Sequence, residues 1–337
     1  MIELLGLILV SFFLTSFLLI PFIDKLYELR SVFTQTIKLT VAKASDTPIH
    51  DRLMKKDFYT PVGGGLIIIP VVLVLTLLTF WIFERPITWA VIAIFFAMLS
   101  FGALGLIDDL RHIYSSTIGK FHGLSPRLIF SCQFILALII ALILYFQVGL
   151  NNIFVPVIGN VVLGVWYIPL AVFSIIAFSN AYNISDGLDG LSTGLLTICL
   201  FAFLVLASSV FDQNLVVFLG IWVGSLIAYL YFNVFPARIY LGDAGAFGFG
   251  ATLAVIGLLT GKILGLAVIG GVYVVIIMSS LLQIFSKRFL GKKLFPVAPI
   301  HMYFKYIGWE EPKIVIRFWL AGAMFAIFGL WLALLSK

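Results

Sequence analysis

Charged residues are scarce in this chain. Lys, Arg, Asp and Glu make up 11% of its 337 residues, while hydrophobic residues make up 62%. A soluble domain carries far more charge on its surface, so this composition excludes an ordinary soluble protein. Apolar runs of about 20 residues are long enough to cross a bilayer as helices, and the alternating pattern of a membrane β-barrel is absent. The chain is therefore predicted to be an all-α polytopic membrane protein.

Cysteine is also scarce, and the first apolar run lacks the basic segment that is typical of a secretion signal. Cys132 and Cys199 are the two cysteines, and both lie inside apolar runs, which excludes a disulfide framework and favours small buried residues. The apolar residues 1–20 have no basic segment before them. They are therefore expected to be a retained first helix rather than a cleaved signal peptide.

Ten apolar segments predict ten transmembrane helices in a single membrane domain spanning 1–337. They are 1–22, 62–83, 87–107, 127–148, 161–179, 191–210, 215–235, 243–260, 262–286 and 314–335. The fifth is short and follows a loop, 151–160, that contains Pro, Gly and Asn. This loop is expected to form a hairpin at the membrane surface.

Basic residues are distributed unequally between the two sides of these segments. Of the 21 Lys and Arg residues, 18 fall in joints after odd-numbered segments, and the rest are Arg85, Lys262 and Lys337. The positive-inside rule makes the odd joints cytoplasmic and both termini extracytoplasmic. The predicted cytoplasmic loops are approximately 23–61, 107–126, 180–190, 236–242 and 287–313. The net charge of +6 then requires no nucleic-acid partner.

The densest polar stretch is residues 180–194, N-A-Y-N-I-S-D-G-L-D-G-L-S-T-G. It carries Asn183, Asp186 and Asp189 three residues apart, so on a helical turn their side chains share a face. Polar groups at a membrane boundary are costly, which makes the cluster a candidate functional site. Its amides and acceptors suit a sugar or nucleobase, directly or through a metal. An ordinary polar loop is the alternative.

Two further acidic clusters lie at the ends of other apolar segments. The adjacent carboxylates of Asp108 and Asp109 repel each other, which a cation or a shared proton would relieve. Asp243 stands between Gly242 and Gly245 at a predicted helix start, where backbone amides and the helix dipole favour phosphate. A carboxylate beside a phosphate implies a divalent cation, usually Mg²⁺. The alternatives are a solvated helix end and a simple N-cap.

The first and last predicted cytoplasmic loops add basic and aromatic residues. The first ends with Lys55, Lys56, Thr60 and three glycines, and the last contains His301 in a basic, aromatic segment. Every dense polar cluster thus falls on one predicted face. This predicts a metal-dependent transferase that joins a phosphorylated donor from the cytoplasm to a membrane lipid. A transporter, the rival interpretation, would place ionisable groups near the membrane centre in two similar halves, which this sequence lacks.

Several stretches carry a more specific pattern, in order along the chain. They are T-P-V-G-G-G at 60–65, G-L-I-D-D at 105–109, G-L-S-P-R at 123–127, N-A-Y-N-I-S-D-G-L-D-G-L at 180–191, N-V-F-P-A-R-I-Y-L-G-D-A-G at 233–245 and P-I-H-M-Y-F with G-W-E-E-P-K-I-V-I-R-F-W at 299–319. Together they resemble the polyprenyl-phosphate N-acetylhexosamine-1-phosphate transferase superfamily (glycosyltransferase family 4), and most nearly its phospho-N-acetylmuramoyl-pentapeptide transferase branch. Residues 155–163 are similar to the family's extracytoplasmic hairpin.

The resemblance implies ten transmembrane helices with both termini outside, a homodimer in the cell membrane and an active site facing the cytoplasm. It implies Mg²⁺-dependent transfer of phospho-N-acetylmuramoyl-pentapeptide from its UDP-activated form to undecaprenyl phosphate, which releases UMP and forms lipid I for peptidoglycan. A related transferase that uses UDP-N-acetylglucosamine or another UDP-linked donor is the alternative, and a transporter is a remote one.

The resemblance also implies roles for single residues. Asp243 corresponds to the Mg²⁺ ligand, and Asp108 and Asp109 to the catalytic pair. Asp108 is favoured as the base that deprotonates the lipid phosphate, and a covalent aspartyl nucleophile is the other scheme. The implied donor pocket comprises Asp189 and Tyr240 at the uracil, Asn183, Asp186, Thr60 and Gly242 beside it, Asn233 in the same shell, and one of Lys55 and Lys56.

The last loop departs from the branch pattern. The branch typically has three consecutive histidines there, whereas His301 is followed here by Met302 and Tyr303. Because the resemblance places this loop opposite the donor sugar, His301 is expected to contact the donor. The identity of the donor stays open at this point.

Overall fold

The computed structural model describes residues 2–37, 60–117, 123–156, 158–209 and 212–335, and this part of the chain is mostly helical. Its α-helices are α1 (Ile2–Ile37), α2 (Gly64–Ile82), α3 (Trp89–Thr117), α4 (Pro126–Leu142), α5 (Tyr167–Ser185), α6 (Leu191–Ser209), α7 (Gln213–Asn233), α8 (Asp243–Leu259), α9 (Ile263–Ile269), α10 (Gly271–Phe289), α11 (Ile300–Tyr306) and α12 (Glu311–Leu334). A π-helical turn, Ile143–Gln147, extends α4, and a 3₁₀ turn, Gly164–Trp166, precedes α5.

Nine helical segments within the described ranges are long and apolar enough to cross a membrane. Helix α8 is a further apolar helix of 17 residues. These helices confirm the expected all-α polytopic fold, and the chain is a multi-pass membrane protein. The count of ten crossings and the outward-facing termini stay predictions.

Some helices continue past the apolar segments that predicted them. Helix α1 runs to Ile37 and α3 to Thr117, so the first parts of the predicted loops 23–61 and 107–126 are helical. Hydropathy marks the part of a helix that suits lipid, whereas the backbone continues through polar residues of good helix propensity. The ends of such helices are therefore not visible in a hydropathy pattern.

The predicted segment 262–286 is interrupted instead of continuous. It is divided at Gly270 into the short helix α9 and the longer helix α10. Gly270 lies against the Phe178 side chain, and a Cβ at this position would come within 2.6 Å of the ring. The break lets α9 turn toward α12 while α10 continues toward the cavity described below.

The loop at 151–160 forms the expected hairpin. Strands β1 (Asn152–Val155) and β2 (Gly159–Val162) pair antiparallel. The hairpin is attached to the turn after α8, because the Phe154 N–H donates to the Gly261 carbonyl at 3.0 Å. The Lys262 ammonium also lies 3.9 Å from the Phe154 ring centroid, a cation–π contact.

Helix α8 lies at the centre of the helix bundle. All of its residues except the first and the last are buried, and it packs against α2, α3 and α5. Glycines permit the close approach. A Cβ at Gly105 on α3 would collide with the Asp243 carbonyl oxygen, and one at Gly65 on α2 would lie 2.5 Å from the Gly245 nitrogen. This packing brings the acidic end of α3 to the beginning of α8.

Candidate active site

A cavity of about 620 Å³ opens at the ends of α3, α5, α8 and α10. Six of the predicted site residues line it: Asp109, Asn183, Asp186, Tyr240, Gly242 and Asp243. Six further lining residues were not among the predicted site residues: Ser280, Gln283, Ile284 and Lys287 on α10, and Ala298 and Pro299 after it. A cavity of this size can enclose most of a nucleotide-sized ligand.

Asp109 caps helix α8 from the neighbouring helix α3. One of its oxygens accepts the Asp243 N–H and the other accepts the Ala244 N–H, each at 3.1 Å. Gly242 has φ +83°, and a Cβ there would approach an Asp109 oxygen to 2.8 Å, so glycine is required. These two amides are therefore paired with a carboxylate of the protein in this structure, and the expected binding of phosphate at the beginning of α8 stays a prediction.

Asp108 lies beneath the cavity wall. Its side chain is 5% exposed and accepts the Leu124 N–H at 2.6 Å. Gly123 is pressed against it, since a Cβ there would come 2.6 Å from the Asp108 oxygen. Asp108 is also within hydrogen-bonding reach of the Asp243 side chain. The structure thus joins the two acidic clusters of the sequence into one group of three carboxyls.

The glycine-rich stretch 60–65 supports the segment that carries Tyr240. The Tyr240 N–H donates to the Pro61 carbonyl at 2.8 Å, and its own carbonyl accepts the N–H groups of Gly63 and Gly64 at 3.0 Å. Thr60 is buried, and its hydroxyl donates to the Ala237 carbonyl at 3.2 Å. These contacts position the backbone that brings Tyr240 to the cavity. Thr60 is not among the lining residues, and its expected place in the donor pocket stays a prediction.

Asp189 and Asn233 hold the loop that leads into α8. An Asp189 oxygen accepts the Ala237 N–H at 2.9 Å, and the Asn233 side chain donates to the Ile239 carbonyl at 3.0 Å. Neither residue is among those that line the cavity. Of the two residues expected at a uracil, Tyr240 lines the cavity and Asp189 stands behind it, and both roles stay predictions.

Asn183 and Asp186 lie where α5 ends. Asp186 is the residue after the last helical position, and it accepts a hydrogen bond from the Ser192 hydroxyl at the beginning of α6. Both residues line the cavity, whereas Asp189, which has the same three-residue spacing, does not, so the predicted shared face holds for only two of the three residues.

Glu311 connects this region to the last helix. One of its oxygens accepts the Asp189 N–H at 2.8 Å, and the other lies 2.6 Å from the Lys305 ammonium. Its side chain is 13% exposed, so both partners would be left unsatisfied in a poorly hydrated place if it were removed. The sequence analysis did not single out Glu311, because no pattern in G-W-E-E-P distinguishes it from the adjacent Glu310.

We expect Glu311→Ala to lower the free energy of unfolding by about 1–3 kcal/mol. Glu311→Gln should lose less, because its amide oxygen can still accept the Asp189 N–H. The thermal unfolding midpoint in detergent measures both. Glu310→Ala is the matched control, since Glu310 is exposed and its side chain makes no capping hydrogen bond. Equal midpoints for Glu311→Ala and Glu310→Ala would show that this connection does not stabilise the fold.

The remaining predicted residues lie apart from the cavity or outside the described residues. His301, on the short helix α11, is 1% exposed and is not among the lining residues. Its expected contact with the donor stays a prediction. Lys55 and Lys56 fall outside the described residues.

Helix α10 was the main omission of the sequence analysis. Its buried face holds the loop that follows it: Gln283 accepts the N–H groups of Leu294 and Phe295 at 3.0 and 2.9 Å and donates to the Phe295 carbonyl at 2.9 Å. Ser279 and Ser286 bind the same loop, at Ile300 and Lys292. One sequence signal could have identified this face: the polar residues Ser279, Gln283 and Ser286 recur every three or four positions on a largely apolar helix.

The carboxylates at the cavity determine whether Mg²⁺ could be held there. Among the described residues, no three His, Cys, Asp or Glu side chains are grouped so that they could hold a metal ion. Asp243 and Asp109 both line the cavity, but the Asp109 oxygens already accept backbone amides. Mg²⁺ is commonly held by one or two carboxylates with substrate oxygens and waters. The residues therefore fit Mg²⁺ held by Asp243 together with a substrate, and not in a cage made by the protein alone.

Comparison with known proteins places these features in a family. The sequence profile described as glycosyl transferase family 4 matches residues 91–261, which include nearly all of α3 and the whole of α8. The phospho-N-acetylmuramoyl-pentapeptide-transferase of Chloroflexus aurantiacus is 37% identical over 289 residues, covering 82% of this chain and 77% of the relative. The protein of that name from Levilactobacillus brevis is 36% identical, covering 83% and 86%. The one from Bacillus licheniformis is 31% identical over 325 residues, covering 95% of each.

These relatives are similar along most of the chain, and not only at the acidic motifs. The coverage extends beyond the profile match and takes in helices on both sides of the cavity. On this evidence, the chain belongs to glycosyl transferase family 4.

Proposed function

We propose that this protein transfers phospho-N-acetylmuramoyl-pentapeptide from its UDP-linked form to undecaprenyl phosphate, releasing UMP and forming lipid I for peptidoglycan. The observation that carries the proposal is the meeting of three carboxyls at the ends of apolar helices: Asp109 and Asp243 line a nucleotide-sized cavity, and Asp108 lies next to them behind its wall. A water-soluble donor and a membrane lipid can both reach such a place. The names of the relatives supply the donor group, and membership in a transferase family removes the support for a transporter.

The proposed reaction exchanges one phosphorus–oxygen bond for another. An oxygen of the lipid phosphate forms a bond to the phosphorus that carries the sugar. The bond from that phosphorus to the bridging oxygen breaks, and UMP leaves with the electron pair. Such transfers depend mainly on positioning and on stabilising charge.

In this proposal each carboxyl has a separate task. Asp243 lines the cavity and would hold Mg²⁺, which when bound would neutralise charge on the diphosphate. Asp108, behind Asp243, takes the proton from the lipid phosphate. Asp109 fixes the beginning of α8 and so keeps Asp243 at the cavity. The Tyr240 ring offers a surface on which a uracil can stack.

The proposed topology follows the distribution of basic residues. Ten helices cross the cell membrane, both termini lie outside, and the cavity faces the cytoplasm, where 18 of 21 Lys and Arg residues are expected. We also propose that the protein forms a homodimer, as the resemblance to its family implies.

The test is release of UMP by purified protein with undecaprenyl phosphate and Mg²⁺. UDP-N-acetylmuramoyl-pentapeptide and UDP-N-acetylglucosamine are offered separately, and a reaction without the lipid is the blank. We expect release with the muramoyl donor alone, and a chelator should stop it. Release with the glucosamine donor alone would establish the alternative donor and direct attention to Met302 and Tyr303. No release with either donor would refute the proposed function.

A further inference from the structure

One face of α10 contributes three polar residues to the cavity lining: Ser280, Gln283 and Lys287. Ser280, Ile284 and Lys287 are four and three residues apart, so they lie on the same side of the helix, and all three line the cavity. Nothing in the sequence motifs assigns them a role.

The electrostatics of the cavity make Lys287 distinctive. Among its described lining residues, Asp109, Asp186 and Asp243 are acidic, and Lys287 is the one basic side chain. An anionic ligand would be repelled by these acidic residues, so a cation in the same cavity favours its approach and sets its orientation. Lys287 lies in the last turn of α10 and is exposed, which leaves its ammonium accessible from the cavity.

Ser280 offers a second group, deeper along the same face. Its hydroxyl oxygen is buried and has no hydrogen-bond partner within the described part of the chain. A buried polar atom without a partner is unfavourable, and buried groups of this kind normally find a partner in protein, water or ligand. Its position in the cavity lining makes a ligand an available partner.

Gln283 lies on the same face but, unlike Ser280 and Lys287, is not available to a ligand. Its amide is already engaged by Leu294 and Phe295, as described above. That anchoring fixes the loop that brings Ala298 and Pro299 to the cavity. The Ser280 hydroxyl and the Lys287 ammonium are therefore the polar groups of this face that are left for a ligand. The apolar residues Ile284, Ala298 and Pro299 line the cavity with them.

From this arrangement we infer that Ser280 and Lys287 form a subsite for an anionic portion of the donor. Seven residues of helix separate them by about 10 Å along the axis, so a single extended ligand, and not one small ion, contacts both. Lys287 pairs with a negative group, and Ser280 donates to or accepts from a polar group further in. This inference rests on the proposed function, in which the donor carries two kinds of anion: its diphosphate and the carboxylates of its peptide.

The ordinary alternative is that Lys287 only stabilises the end of α10 or interacts with the membrane surface. A cation in the last turn of a helix interacts favourably with the helix dipole. Arg288 shares that position and charge but does not line the cavity; it lies 5.9 Å from the Phe289 ring centroid. Arg288→Ala is therefore the matched control.

The experiment compares Lys287→Ala, Lys287→Arg and Arg288→Ala by direct binding of UDP and of UDP-N-acetylmuramoyl-pentapeptide, and by the donor KM. We expect Lys287→Ala to weaken donor binding and raise its KM by about tenfold, Lys287→Arg to restore most of the loss, and Arg288→Ala to change neither. A weaker affinity for UDP as well would identify the diphosphate as the anion. A loss confined to the pentapeptide donor would identify its carboxylates.

Ser280→Ala removes the hydroxyl with little change of volume. We expect it to raise the donor KM by about three- to tenfold. Unchanged donor affinity in both Lys287→Ala and Ser280→Ala would overturn the subsite, and so would an equal loss in Arg288→Ala. Because binding is measured without turnover, a wild-type protein that binds UDP but releases no UMP would refute the proposed function while the variants still test the subsite.

Discussion

Asp243→Asn is expected to reduce UMP release by about 10²- to 10³-fold or more. The substitution removes the negative charge that lines the cavity beside Asp108 and Asp109, and with it the proposed metal ligand. An asparagine is nearly the same size, and the backbone N–H that Asp109 caps is unchanged. The fold should therefore survive. Steady-state UMP release and the thermal unfolding midpoint measure the two effects.

Asp212→Asn is the matched control for this substitution. Asp212 also stands at a helix beginning, where its side chain accepts the Leu215 N–H at 3.0 Å, and asparagine serves equally well there. We expect wild-type release from this variant. Raising the Mg²⁺ concentration should recover part of the activity of Asp243→Asn if the lost charge is a metal ligand. Wild-type turnover by Asp243→Asn would remove the metal assignment.

Asp108→Asn is expected to lower turnover by about 10²- to 10⁴-fold, the range for losing a general base. The asparagine oxygen can still accept the Leu124 N–H that now binds Asp108, so the covering turn at Gly123 should keep its position. Asp108 does not line the cavity, so affinity for UDP should fall far less than turnover. UMP release and direct UDP binding distinguish the two.

Asp109→Asn provides a comparison for Asp108→Asn, because the two substitutions should affect stability differently. Asp109→Asn keeps one acceptor for α8 but replaces the other with an amide donor facing a backbone N–H, so it should lower the thermal midpoint as well as activity. Asp108→Asn should lower activity with a smaller change in the midpoint. If Asp108→Asn turned over donor at the wild-type rate, the base would have to be another group.

The different positions of these two adjacent acids show a limit of sequence reasoning. D-D at the end of an apolar segment predicts mutual repulsion and a functional site, and both residues do lie there. The sequence contains no sign that Asp109 binds the first amides of α8, more than 130 residues away, because only the packing at Gly105 brings these helices together. The same contact pairs the two amides at the beginning of α8 that had suggested a phosphate site.

What the sequence determined by itself is the class of fold and six of the fifteen residues that line the cavity. Long apolar runs are stable in the hydrocarbon core of a membrane, where each segment must satisfy its own backbone hydrogen bonds. A helix does this, so the sequence predicts a helical membrane protein. Local spacing was sufficient to predict that Asn183 and Asp186, at one helix end, lie together. The composition of loop 151–160 was sufficient to predict the hairpin. These features depend on neighbours within a few residues.

What only the tertiary structure decided is which side chains face the cavity and which support it. Thr60, Asp189 and Asn233 belong to the same motifs as the lining residues but form hydrogen bonds to the loop before α8. Lys287 and Ser280 carry no motif, yet the rotation of α10 turns them toward the acidic wall. The physical reason is that a polar residue in an apolar helix needs a polar neighbour, and the identity of that neighbour is set by helix packing between segments distant in the chain.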